Sequence, residues 1–176
     1  MKHPSALLLA IAIMPVACLA ASLYAGEQSR TIKSLSQQEV ADYLSGKGMG
    51  FAKAAELNGF PGPAHVLQLA DKLALSPTQK ARTEEIFGRM QARTRELGAK
   101  LVEAERNLDQ SFASKTISRD SLAASVDSIG KVQSEIRTAH LQAHLEQSEI
   151  LTAAQTAKYG QLRGYVHPDS ARHMKH

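Results

Sequence analysis

The 176-residue chain has one cysteine, Cys18, no tryptophan and only 5% aromatic residues. A single thiol excludes an internal disulfide. Because Cys18 lies in an apolar N-terminal run, cleavage behind it would leave no thiolate metal site and no cysteine nucleophile. With so few aromatics and frequent Ala, Leu, Gln, Glu and Arg, the composition favours thin helical layers over a β-rich core. The charge excess is small as well: +4 formally, or +3 without the first 25 residues, whose only charged side chain is Lys2. So dispersed an excess does not argue for nucleic acid, and no nucleic-acid motif is present. Also missing are G-x-S-x-G, H-E-x-x-H, a nucleotide-binding motif and paired carboxylates in an apolar setting. The chain therefore reads as a non-enzyme that requires no cofactor. The loop holding Gly46, Gly48 and Gly50 lacks the strand and helix of a phosphate loop and reads as a hinge or turn.

Lys2, an apolar run from Ala6 to Ala17 and the small residues Ala20, Ala21 and Ser22 have the layout of a secretory signal peptide over residues 1–25. Cleavage after Ala20, Ser22 or Ala25 fits equally, and the expected location is the periplasm. Two alternatives stay open. Pro15-Val16-Ala17-Cys18 is a partial lipoprotein box, and apolar character continuing to Tyr24 gives about 19 residues, enough for an uncleaved membrane anchor.

Further along, one helix-start signal occurs twice. Leu75-Ser76-Pro77-Thr78-Gln79 and Leu151-Thr152-Ala153-Ala154-Gln155 each place a hydroxyl residue where it caps the amide three residues on, while the Gln returns a hydrogen bond to the cap's own backbone. Pro77, at the first helical position, strengthens the first copy. Another such box, Ser36-Gln37-Gln38-Glu39, opens a short helix carrying Val40, Tyr43 and Leu44. A second short helix over 51–57 stops at Asn58-Gly59. Phe60-Pro61-Gly62-Pro63 is a rigid turn, followed by a helix over 64–73. The first long helix spans 77–114, where Ile86, Met90, Leu97, Leu101, Leu108 and Phe112 fall in one stripe about 80° wide. The second spans 119–150 behind a Ser118 cap, with Leu122, Val126, Ile129, Val132, Ile136 and Ala143 at matching spacing. So short a connection makes the two long helices antiparallel neighbours. A last helix over 152–163 is ended by Gly164 and Pro168.

The repeated L-[ST]-x-x-Q resembles the LTxxQ motif of the Spy/CpxP family of periplasmic refolding chaperones and of related heavy-metal sensor proteins. The likeness covers about the last two-thirds of the chain. The expected fold is all-α: a long antiparallel hairpin with short flanking helices, paired as a homodimer because so thin a monomer leaves an apolar face uncovered. The resemblance implies that paired hairpins form a cradle holding unfolded or partly folded envelope proteins without ATP. It also leaves open two other roles, a periplasmic metal sensor or buffer and an adaptor for an envelope sensor protein. The resulting layout is a flexible segment with short helices over 26–60, the hairpin domain over 61–166 and a disordered tail over 167–176.

Three groups of side chains are candidates for chemistry. His140 and His144, four apart on one helix, lie one above the other and suit one zinc, nickel or copper ion. Both face the seam or its edge, so hydrogen-bonded core histidines are the alternative. Third donors would come from His65, Glu103 or Glu105, or from a second copy. Arg82, Arg89, Arg93 and Lys100 line up roughly 80° from the apolar stripe. With Ile86, Met90 and Leu97 they form a client-binding candidate, against the alternative of a solvated face interleaved with Glu85 and Glu96. His167, His173 and His176 in the tail are at most loose metal binders, and Met49, Met90 and Met174 are too scattered for a copper-thioether box.

Overall fold

The computed structural model describes residues 22–165. Most of the expected leader, including Cys18, and all three tail histidines therefore lie outside the described residues. After a 3-10 turn at Glu27–Ser29 come six helices: α1 (Gln37–Ser45), α2 (Lys53–Glu56), α3 (Pro63–Gln68), α4 (Pro77–Ala113), α5 (Arg119–Ile150) and α6 (Ala153–Leu162). There is no strand among the described residues. At 1.5 Å per residue, α4 and α5 extend about 55 and 48 Å. They pack along each other as the hairpin, with the shorter helices against them.

Capping boxes start α1, α4, α5 and α6: Ser36 with Glu39, Ser76 with Gln79, Ser118 with Ser121, and Thr152 with Gln155. The two L-[ST]-x-x-Q copies also bind each other. Gln79 Nε2 donates to Gln155 Oε1 at 2.8 Å, and Gln155 Nε2 to Gln79 Oε1 at 3.0 Å. Gln79 reaches the Ile150 carbonyl as well, and Gln155 the Leu73 carbonyl. Each glutamine thus caps its own helix and fastens the start of α4 to that of α6. Beneath this clasp, Val66, Leu73, Leu151 and Tyr159 pack together, with Leu75 against them.

The middle of the seam is dry. Leu97, Leu101, Ile129 and Ile136 are buried there, with Tyr43 and Phe51 from the N-terminal segment packed on them. Ile32, Leu35 and Val102 extend the cover, and Lys33 and Ser34 bond Asp109 and Glu105 of α4. Beyond that point none of the described residues overlies the hairpin. Phe112, Leu122 and Val126, expected inside the seam, are 54%, 36% and 52% exposed. Two helices alone leave one side of their shared stripe open, and the described part of the N-terminal segment covers α4 only as far as Asp109.

The short elements depart most from expectation. The helix expected over 64–73 ends at Gln68, and turns continue to Leu73, because the chain must reverse through Ala74 (φ 49°) into the Ser76 cap. α2 is shortened in the same way, with Gly50 and Gly59 at positive φ on either side. Where α1 crosses α4, Gly98 is required: a Cβ there would sit 2.1 Å from the Tyr43 carbonyl oxygen.

Helix propensity alone would make Gly98→Ala stabilising by about 1 kcal/mol. The clash reverses the sign, and we expect a net loss of about 1–3 kcal/mol in urea unfolding. Gly130→Ala, with nothing within 4 Å of the new methyl, is the control and should gain up to about 1 kcal/mol. Equal gains in both variants would show that α1 is not seated on Gly98.

Candidate functional site

α5 presents His140 and His144, one turn apart, to the segment that carries α2 and α3. Both are buried, at 3% and 8% exposure. The Phe60-Pro61-Gly62-Pro63 turn lies directly on His144. A Cβ at Gly62 would come within 2.8 and 2.9 Å of its Cε1 and Nε2 atoms, so only glycine permits this approach. His144 Nδ1 lies 2.8 Å from the Phe60 carbonyl oxygen. A carbonyl only accepts, so Nδ1 carries the proton and Nε2 the free lone pair. His140 stacks on Phe51, with ring centroids 6.0 Å apart, and its buried Nε2 has no hydrogen-bond partner among the described residues.

Burial lowers the pKa of His140, and neighbouring His144 adds to this against the opposing Lys47 backbone. His65 is lowered too, first by burial and then by Arg163. Neutral imidazole is the ligating form. A cavity of about 290 Å³ between α3 and the hairpin is lined by His140, His144, His65, Met90 and Gln91. A larger one of about 740 Å³ shares His65 and His144 and adds Met49, Lys53, Glu56 and Leu57.

Sequence reasoning missed Glu56. It is 8% exposed and the only buried acidic residue among those described. Its Oε1 accepts from the Tyr159 hydroxyl at 2.5 Å and the Tyr165 hydroxyl at 3.0 Å, with Arg163 Nε at 3.5 Å and His65 Nδ1 at 3.6 Å. Its Oε2 accepts from the Gly62 amide at 3.2 Å and lies 3.7 Å from His144 Nδ1. Burial, and then the Glu56 carboxylate, push the Tyr159 pKa far above its ordinary value, so its hydroxyl is a permanent donor. Nothing in the sequence marks Glu56, one acid in a short Lys-Ala-Ala-Glu stretch beside Asn58-Gly59. Of the other proposed donors, Glu103 is paired with Arg106 and Glu105 with Ser34, and neither lines either cavity.

The basic row is countered by acids. Arg89 bonds Glu85 and Glu146, at 2.5 and 2.6 Å, and Arg93 bonds Glu96 and Glu135, at 3.1 and 2.8 Å. Lys100 also meets Glu96, and Arg82 borders a hollow that includes Glu85, Glu146 and Glu149. Two of these pairs cross from α4 to α5, so the row is a ladder along the hairpin, each exposed rung worth roughly 0–1 kcal/mol. Ile86 and Leu97, the apolar half of the client-binding candidate, are buried between the helices, and Met90 is half-buried.

The sequence profile of the heavy-metal resistance family matches residues 48–158, which include Glu56, His65, His140, His144 and both glutamine boxes. The chain belongs to the heavy-metal resistance family. This family contains both Spy/CpxP-like LTxxQ proteins and metal-resistance proteins, so the resemblance read from the capping boxes holds. No curated protein and no solved structure matches the chain significantly.

His140 and His65 give stability a pH dependence of definite sign. Unfolded histidine takes up a proton near pH 6.5, whereas folded His140 and His65 resist it. The unfolded state then binds more protons, and stability falls as pH drops from about 7 to 5. In chelator, the urea midpoint should decline over that window, and His140→Phe should flatten the decline. A slope untouched by His140→Phe would remove His140 as its source.

Proposed function

We propose that this member of the heavy-metal resistance family is an exported protein that binds a borderline transition-metal cation, of the zinc, nickel or copper class, through His140 and His144. The observation that carries this reading is the buried Nε2 of His140, without a hydrogen-bond partner among the described residues, beside His144, whose Nδ1 is spent on the Phe60 carbonyl. Metal-ligating histidines are oriented in the same way, one ring nitrogen engaged by a carbonyl and the other left free. Imidazole suits zinc, nickel and copper, and family members are typically exported to the periplasm. The donor chemistry fits, but the site is only half assembled. Among the described residues no three His, Cys, Asp or Glu side chains converge on one point.

Nickel and zinc titrations by calorimetry test it, on protein whose tail histidines His167, His173 and His176 are replaced by serine. One bound ion per chain is expected, with affinity falling at least about 100-fold in His140→Ala/His144→Ala, in line with loss of ligating groups. Unchanged affinity in the double variant would end the metal reading.

A second reading is the holdase implied by the LTxxQ resemblance, with unfolded envelope proteins as clients. Exposed Met49 and Leu57 favour it, lining the larger cavity with Lys53, where weak apolar contact and positive charge would meet a client. The uncovered Phe112, Leu122 and Val126 are where a second copy of the chain would pack. Suppression of client aggregation by light scattering in chelator, lost in Leu57→Asp, is the expected outcome. Sedimentation of the same samples should show a dimer that Val126→Glu dissociates. No suppression in chelator would remove the metal-independent holdase.

A further inference from the structure

Donor atoms around one cation, each about 2.0–2.2 Å from it, lie roughly 3–3.5 Å from one another. Since no three qualifying side chains are so placed, completing a site at His140 and His144 requires movement. Glu56 is the nearest carboxylate: its Oε2 is 3.7 Å from His144 Nδ1, the protonated edge of the ring, so it must swing toward the Nε2 side to meet a cation there. It is already occupied, however, and its strongest partners come from the C-terminal helix region. Tyr159 and Tyr165 both donate to Oε1, and Arg163 stands beside it.

α6 itself is lightly attached. It packs extensively on no other helix, and its chief anchors are the Gln155 clasp and Tyr159, buried to 2% exposure. The three α6-side partners of Glu56 also lie past residue 158, where the family match ends, while Glu56 and the histidines lie within it. The grip on the carboxylate therefore comes from outside the matched segment.

Resting on the metal reading, we propose that Glu56 is a shared carboxylate. Without a cation α6 holds it through Tyr159; a cation seated on His140 and His144 draws it away, and α6 loosens. Binding at the hairpin is thereby converted into exposure of the C-terminal helix, a two-state change biased by one ligand. Tyr159 is a positioning residue that competes with the ion and never touches it.

The test is hydrogen exchange of residues 153–162 in the full chain with serine at the three tail histidine positions, with and without nickel chloride, alongside calorimetry. Nickel should speed exchange in α6 of the wild-type sequence. Tyr159→Phe should show fast α6 exchange already without nickel, and should bind nickel about 10-fold tighter, since a hydrogen bond to a charged group no longer opposes binding. Glu56→Gln, which can still accept from Tyr159, should keep α6 protected, bind nickel more weakly and show no response. This second variant keeps the test decisive if Tyr159→Phe folds poorly. Full nickel binding with unchanged α6 exchange would overturn the shared carboxylate and spare the metal reading. Glu56→Gln responding like the unsubstituted residue would do the same, and absence of nickel binding in every variant would sink both.

Discussion

A carboxylate removed from water must find donors or lose its charge, and in this fold that demand falls on Glu56. Its two oxygens collect a backbone amide, two phenols and a guanidinium, with two imidazoles nearby. These partners come from the proline turn, α3, α5 and the α6 region, elements with little apolar surface in common. The small hydrophobic cluster under the glutamine clasp could not orient them alone. The polar node fixes their register, and it does so beside the histidine pair on α5. Structure and candidate site are therefore two aspects of one constraint.

The hairpin supplies the rigid part of this arrangement. Long helices sharing a narrow stripe are stabilised where a third layer excludes water, and here the N-terminal segment provides that layer only as far as about Asp109. Gly98 lets α1 approach, Gly62 lets the proline turn rest on His144, and each contact is too close for a methyl group. Past the covered region the same stripe runs on with Phe112, Leu122 and Val126 open to solvent. One helix pair thus holds a buried polar site at its covered end and, at its tip, an apolar seam that none of the described residues covers.

Local rules made much of this legible. Hydroxyl–Gln spacing located the starts of α4 and α6, the 3.6-residue period located the seam, and the i, i+4 spacing of His140 and His144 placed both rings on one face. What escaped depends on contacts between residues far apart in the chain. Capping boxes announce helix starts, but not that Gln79 would clasp Gln155, 76 residues away. Helical projection aligned Arg82, Arg89, Arg93 and Lys100 but was silent about Glu135 and Glu146 on the facing helix, which turn a basic row into a ladder. Glu56 was invisible for the same reason. A lone acid in a short polar stretch has no periodicity, and its burial follows only from where α6 returns.

That ladder also bears on how the chain would meet a client. Arginines held by cross-helix glutamates project little net charge beyond a Debye length, so long-range attraction of a client along the hairpin would be weak. The accessible apolar side chains near the site, Met49, Leu57 and Phe60, instead flank α2. A four-residue helix has no stability of its own, and Gly50 and Gly59 bound it with conformations that are easily turned. Its position is set by what its one buried side chain binds. Whatever takes hold of Glu56 therefore also places the apolar rim, and the metal and holdase readings meet at that side chain.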